Sequence, residues 1–396
     1  MTALSRRAPG AVLAGASAAQ AAVALVNFGL PAIGPQLRDD FDLSLFELGA
    51  VLSAGLFGAG VALIGAGILV DRIGARRAML AGTALGAFGL ALAASAGSKY
   101  AFFSAMFVFG LGSAIVPIAG TGALLRAYPA ARRGWAMGVR QTAVPLGGAI
   151  AAIVYPSLYA LGGTRLTLGV SAVAVVVTGC WFALTVTAEP PVRRPMGRGS
   201  FGAILRAPGF PLLLAVAACY IVVLQALLAY LVPAAREAGQ SELTASVAYL
   251  SMNVSAMVAR IGWGAVADRD DGLRRVRTLV EVGVVASIGA LVFGAALHAG
   301  AVAVVLASVV FGFGALGWNA LVYVSAGERV DPSLAGRSVA VAATVVFVLS
   351  GIATPLLGAL VDGLGWDALW LSTAAVAALG AFLAYRLPAQ TVAGGA

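Results

Sequence analysis

Hydrophobic positions in this chain are gathered into long blocks, and the polar positions fall mostly in short gaps between them. Twelve blocks stand out, roughly over 11–33, 44–70, 78–97, 101–125, 135–158, 166–187, 209–234, 243–267, 278–298, 300–326, 338–361 and 366–386. A bilayer core of about 30 Å needs about 20 apolar residues per helix, so each block predicts one transmembrane helix. The longest polar connection runs from Ala188 to Pro208 and carries Pro190, Pro191, Pro195 and Pro208 with Arg193, Arg194, Arg198 and Arg206. It falls near the middle of the chain. The expected organisation is therefore a six-helix bundle over 1–187, a linker over 188–208 and a second six-helix bundle over 209–396.

Composition agrees with this pattern. Of 396 residues, 61 % are hydrophobic and 10 % charged, against about 25 % charged in soluble domains. A soluble enzyme, a secreted domain and a disordered chain are excluded. Cys180 and Cys219 lie within apolar runs and are expected to be buried, inert thiols. With 2 Cys and 1 His (His298, at the end of an apolar run), there is no disulfide framework and no zinc spacing. No metal, no cofactor and no catalytic cluster is expected, and the chain reads as a non-enzyme.

The net charge of +9 comes without nucleic-acid motifs, so it reports topology. With the N-terminus inside, 19 of the 25 basic residues fall on the cytoplasmic side. Four (Arg38, Lys99, Arg165 and Arg236) fall outside, and two (Arg140 and Arg260) fall within the membrane. This ratio places both termini in the cytoplasm and the chain as a multi-pass protein of the plasma membrane, the bacterial inner membrane. Ser5-Arg6-Arg7 begins like a twin-arginine signal, but the apolar run after it is too long for one.

A repeat supports the two halves. The segment after helix 2 reads Gly67-Ile-Leu-Val-Asp71-Arg72-Ile-Gly74-Ala-Arg76-Arg77, and the segment after helix 8 reads Gly264-Ala-Val-Ala-Asp268-Arg269, then Arg274-Arg275. The two aspartates are 197 residues apart, and half the chain is 198. On these residues the chain resembles the major facilitator superfamily over essentially its whole length. The first segment is similar to that family's signature loop, G-x-L-x-D-R-x-G-x-R-R, and the second to a degenerate copy. The resemblance implies an all-α fold of twelve transmembrane helices in two pseudo-repeats. It also implies a conformational gate of Asp71, Arg72, Arg76, Asp268, Arg269 and Arg337. In relatives the aspartate meets the start of a helix in the other half, whose positive dipole end suits it. The matching partners here are Arg337 and Ser338 for Asp71, and Arg133 and Trp135 for Asp268. A plain salt-bridged turn is the alternative.

Helix 5 reads Gly138-Val-Arg140-Gln141-Thr142-Ala-Val-Pro145-Leu-Gly147-Gly148. It resembles the family's G-P-x-x-G-G motif, associated with exporters that exchange drug for proton, with altered spacing. Pro145 frees a carbonyl, and Gly147 and Gly148 admit close helix approach. Pro355 is a second candidate bending site, in helix 11.

Arg140 and Arg260 lie near the midplane, where a charge costs at least about 2.5–3.5 kcal/mol without compensation. The helices expected to line the cavity carry acids only at their ends. Water and a substrate carboxylate can supply the balance, since a guanidinium grips a carboxylate with two hydrogen bonds. The run Met257-Val-Ala-Arg260-x-x-x-Gly264-x-x-Ala267-Asp268 looks like helix 8 of monocarboxylate transporters and oxalate/formate exchangers. There the matching arginine holds the substrate. Such an arginine is also a packing element across the superfamily. Proton-coupled monocarboxylate carriers have Asp four residues earlier, where this chain has Ala256.

Polar stripes extend the candidate site. Tyr249, Asn253 and Arg260 share one face of helix 8, and Gln20 and Asn27 share one face of helix 1. Gln141, Gln225 with Tyr230, Trp318, Asn319 and Tyr323 complete the set. Asp39, Asp40, Asp42 and Glu47 read as a solvated outer loop and the start of helix 2, and Glu281 as a surface ion pair with the nearby arginines. The expected function is a secondary or facilitative carrier of a small organic anion, a carboxylate, working as a monomer in the lipid bilayer. Its halves would rock around a midplane site. The alternatives are a proton-coupled exporter of drugs or metabolites, and a receptor or regulator with the same fold and no turnover.

Overall fold

The computed structural model describes residues 8–186, 201–267, 272–331 and 334–388. Most of the linker expected over 188–208 lies outside them, and so do Asp268 and Arg269. Among the described residues all regular structure is helical. In chain order it comprises α1 (Pro9–Asn27), a 3-10 turn (Leu30–Ile33), α2 (Gly34–Phe41), α3 (Leu45–Ala94), α4 (Lys99–Ser113), α5 (Ile115–Ala127) and α6 (Ala130–Thr185). Then follow α7 (Phe201–Leu205), α8 (Phe210–Glu237), α9 (Glu242–Ala267), α10 (Gly272–Ala296), α11 (Ala301–Ala315), α12 (Asn319–Glu328) and α13 (Ala335–Tyr385).

Three of these helices are double. α3 leaves helical geometry at Gly74 (φ 82°, ψ 158°), α6 at Gly162 and Gly163, and α13 at Gly365. Gly74 is the glycine of the signature loop. Its positive φ is open to a residue without Cβ, which lets the chain reverse between spans 2 and 3 in a single residue. Conversely, spans 4 and 10 are each made of two shorter helices, meeting at Ala114 and parted at Leu316–Trp318. Divided at these points, the helices are the twelve spans that the hydrophobic blocks predict. Pro145 and Pro355 lie within their helices, while the non-helical backbone of α6 and α13 falls at the glycines.

The chain forms two compact units. One consists of Met1–Ile33 with Val51–Pro195, the other of Gly34–Ala50 with Met196–Ala396. In the first unit α1 packs along α6 and against α5. Small residues allow this closeness: a Cβ on Gly147 would stand 2.6 Å from the Ala21 carbonyl oxygen and 2.8 Å from the Ala24 methyl. In lipid such backbone approach and the dispersion contacts it brings hold helices together, because there is no hydrophobic gain between them. In the second unit α13 packs on α8 and α10, and α11 packs on α9 and α10. Arg329, at the end of α12, donates to the carbonyls of Pro208 (3.4 Å) and Pro388 (3.2 Å) and so ties the start of α8 to the end of α13.

Two expectations need correction. Cys180 is exposed and Cys219 only half-buried. Cys180 shares a stripe of α6 with the exposed Val173, Val177 and Leu184, which follows from spacings of 4, 3 and 4 on a helix. In a membrane protein such a stripe faces lipid, so an apolar run does not imply a buried thiol. The outer segment is also more ordered than a solvated loop. Asp39 and Asp40 are exposed but lie on α2, and the true turn is only 42–44. Asp42 takes φ 49° there, a conformation that Asp tolerates at a helix end.

Candidate functional site

Arg140 is the most buried charge among the described residues of the first unit, at 3 % exposure. α6 begins at Ala130, five residues before the predicted start, which carries Arg140 deeper into its span. Its guanidinium donates to Gln20 Oε1 on α1 (3.2 Å) and to Thr121 Oγ1 on α5 (3.0 Å). Its Nε has no hydrogen-bond partner among the described residues. Gly120 makes room: a Cβ there would sit 3.1 Å from a terminal nitrogen of Arg140. The sequence stripes named Gln20. They missed Thr121, which has no polar neighbours in span 4 to mark it. Asn27 is buried on the same helix as Gln20, and its Oδ1 has no partner among the described residues. Gln141 is half-buried on α6.

Arg260 is held differently. Its Nε donates to the carbonyl of Leu316 (3.3 Å), the residue that ends α11. Carbonyls at a helix C-terminus have no partner within the helix, so a donor from elsewhere is needed. Trp263, one turn along α9, donates to the carbonyl of Phe313 (3.0 Å) and packs its ring 5.1 Å from that phenyl. Gly317 lies against it, where a Cβ would come 2.5 Å from the indole. Arg260 and Trp263 thus support the break between α11 and α12. Trp263 was absent from the sequence candidates, although its i+3 spacing from Arg260 was the available signal.

The other candidates of the second unit are placed around these helices. Asn253 is fully buried and donates to the Tyr249 carbonyl (2.9 Å). Gln225 donates to Thr354 Oγ1 (2.7 Å). Trp318 is fully buried, with its ring 6.0 Å from Tyr220. Asn319 and Tyr323 are half-buried at the start of α12. Four buried atoms here have no hydrogen-bond partner among the described residues: Oδ1 of Asn253, Oε1 of Gln225, Nε1 of Trp318 and Oδ1 of Asn319. Buried polar atoms are nearly always satisfied, so each of the four asks for a water or a ligand.

At the cytoplasmic side Asp71 and Arg72 are exposed and Arg76 half-buried, next to the Gly74 turn. Arg133 donates to the Tyr128 carbonyl (3.2 Å), and the Trp135 ring lies 6.2 Å from that of Tyr128. Ser338 donates to the Ala326 carbonyl (2.7 Å), and Arg337 is half-buried. Glu281 pairs with Arg274 at 3.9 Å, and Glu328 pairs with Arg275. No group of three potential metal ligands occurs among the described residues.

Twelve apolar spans, apolar stripes on the outside and polar groups within each helical unit define a multi-pass helical membrane protein. The sequence model of the Major Facilitator Superfamily matches residues 16–355, and the chain belongs to that family. It is a multi-pass membrane protein of a family that in bacteria resides in the inner membrane. Uncharacterized MFS-type transporters of two Mycobacterium tuberculosis strains are 34 % identical to it over 130 residues, 33 % of this chain. The match spans only 29 % of their length. The fold is similar to that of a bacterial homologue of the human lysosomal transporter Spinster (TM-score 0.78, 15 % identity, 96 % of this chain and 97 % of that one). It is also similar to the Escherichia coli xylose transporter XylE (TM-score 0.76, 14 % identity, 97 % of each chain). At these identities the likeness concerns the fold.

Proposed function

We propose that this protein carries a small organic anion, a carboxylate, by rocker-switch alternating access, with Arg140 and Arg260 as the charged ligands. The observation that carries this is Arg140. It is buried at membrane depth, and the partners its guanidinium finds are neutral oxygens of Gln20 and Thr121. Neutral acceptors satisfy N–H groups but leave the charge without a counter-charge, which a solute carboxylate supplies through two parallel hydrogen bonds. The partnerless amide oxygens of Asn27, Asn253, Gln225 and Asn319 are acceptors. With Tyr249, Gln141, Trp318 and Tyr323 they would surround the rest of the solute, and the protein would work as a monomer.

The signature-loop residues Asp71, Arg72, Arg76, Asp268, Arg269 and Arg337 are proposed as the conformational gate on the cytoplasmic side. Asp71→Asn should lower transport without lowering solute affinity in proportion. Undiminished transport with unchanged accessibility of both faces would remove that role. The substrate class is tested by a thermal-shift screen of the purified protein against carboxylates, cations and neutral drugs, followed by flux in proteoliposomes. A stabilising carboxylate that loses its effect in Arg140→Lys supports the proposal. Stabilisation by cations or neutral compounds alone overturns it.

A further inference from the structure

Gly162, Arg165, Leu166, Gly169, Val170 and Val173, at the outer end of span 6, line an open groove of about 490 Å³. Their spacings of 3, 1, 3, 1 and 3 put them on one face of the helix. That face runs on into the exposed stripe of Val173, Val177 and Leu184, which meets lipid. Leu166, Val170 and Val173 are themselves exposed. The groove is open at Gly169 because that residue has no side chain: a Cβ there would meet nothing within 4 Å. Arg165 and Val173 are eight residues apart, a rise of about 12 Å. The groove therefore runs from the outer end of the span across most of one leaflet, half of a core about 30 Å thick.

Arg165 stands at the outer end of this groove. It is exposed and makes no hydrogen bond or ion pair among the described residues. The other outer basic residues are engaged. Arg38 pairs with Glu237, Arg236 donates to the Gln240 carbonyl (2.6 Å), and Lys99 lies 6.0 Å from the Tyr100 ring centre. The sequence explains the difference. The first unit, Met1–Ile33 with Val51–Pro195, contains two acids, Asp71 and Glu189, and both belong to its cytoplasmic side. Its outer end thus carries Lys99 and Arg165 and no carboxylate. The outer segments of the second unit hold Asp39, Asp40, Glu237, Glu242, Asp362 and Asp367, so a cation there finds a counter-charge. An arginine at the end of a span lays its stem along apolar surface and brings its head to the headgroup level. Lipid phosphate is the anion found at that level, and a guanidinium grips it with two hydrogen bonds.

We propose that this groove binds an anionic phospholipid of the outer leaflet, with the phosphate on Arg165 and an acyl chain over Gly169, against Leu166, Val170 and Val173. An apolar groove alone accepts any chain, and a surface arginine alone accepts any anion. Set end to end along one leaflet, they fit a molecule that has both parts. A zwitterionic headgroup brings its own cation, so a net negative one suits an arginine without an acid. A second copy of the chain is a poorer occupant. In a two-fold pair the same face meets itself, and the outer end of this unit has no carboxylate for Arg165.

The groove shares no residue with the proposed solute site, so its test runs without solute and does not depend on the anion-transport proposal. Val177→Cys, exposed and just beyond the groove, carries a bimane fluorophore in full-length protein with Cys180 and Cys219 replaced by Ala. The protein is reconstituted in phosphatidylcholine vesicles containing phosphatidylglycerol with brominated acyl chains. Quenching relative to brominated phosphatidylcholine reads the preference for the anionic lipid at that spot. The parent should prefer phosphatidylglycerol about fivefold. Arg165→Gln should bring the ratio to about one, because the charge that selects the headgroup is gone. Gly169→Leu fills the groove without overlapping the protein and should lower the ratio in the same way. Lys99→Gln, the other outer cation of the unit, should leave it unchanged. A label at Leu371→Cys, exposed on span 12, should show no preference. No preference in the parent, an unchanged ratio in Arg165→Gln or Gly169→Leu, an equal fall in Lys99→Gln, or an equal preference at Leu371→Cys overturns the proposal. Abolition of the preference by inorganic phosphate at constant ionic strength would make this a site for a free anion. Disulfide-linked dimers of unlabelled Val177→Cys, in place of a preference, would give the face to a second copy. Either result overturns the lipid assignment.

Discussion

The two intramembrane arginines are the same residue type at similar depth in two related halves, yet the fold treats them differently. Arg140 is held by side-chain oxygens from two neighbouring helices, Gln20 and Thr121. Arg260 is held by a backbone carbonyl at the end of a broken helix, with Trp263 beside it doing the same for Phe313. The difference teaches that depth alone does not define a ligand. These guanidinium groups are seated on neutral oxygens, which supply no counter-charge, but the one on a freed carbonyl has in addition a structural duty independent of any solute.

This contrast can be broken in order of effect. The largest expected change is in anion transport. Arg140→Lys should reduce carboxylate flux roughly 100-fold through lost two-point binding, and Arg260→Lys roughly 10-fold. Equal losses in proteoliposome uptake would erase the distinction. Next, Gly147→Val should destabilise the first unit by about 1–3 kcal/mol, because the added atoms overlap α1 and the packing cannot yield. A melting temperature in detergent equal to the parent's would mean that α1 and α6 are further apart than described. Arg260→Met should lower stability by about 1–2 kcal/mol, read as a lower melting temperature, since the Leu316 carbonyl loses its donor. Arg140→Met should be neutral or stabilising, because a buried cation is removed. The opposite order of the two would reassign the structural duty to Arg140. Gly264→Ala, in open space on α9, should stabilise by at most about 1 kcal/mol through helix propensity. The smallest effect is Glu281→Gln, whose exposed pair with Arg274 is worth under about 0.5 kcal/mol and should vanish in high salt.

How much could be foreseen varies with the range of the interaction. The twelve spans and the signature-loop turn at Gly74 were legible because apolar length and a glycine at a reversal are local properties. Gln20 was legible as a neighbour of Arg140 only by class, as an amide on a polar stripe. Thr121 was not, because a hydroxyl in an apolar helix carries no mark until another helix brings a donor to it. The buried-thiol expectation for Cys180 failed for a related reason. In a membrane the apolar positions face both lipid and protein, so hydrophobicity no longer separates inside from outside. The outer segment shows the same limit. Its acids suggested a solvated loop, but its partners Asp362, Tyr230 and Glu237 lie about two hundred residues or more away in sequence.

The sequence by itself determined the membrane class, the helix count, the repeat and the presence of two arginines inside apolar spans. All of these follow from the cost of placing polar and charged groups in hydrocarbon, which is paid residue by residue along the chain. Only the tertiary structure decided which oxygen meets each guanidinium, which carbonyls are freed at the α11–α12 break, and that Gly34–Ala50 packs away from its own half. Those outcomes depend on which helices approach within hydrogen-bond distance, and that is set by glycines and side-chain shapes on both partners at once.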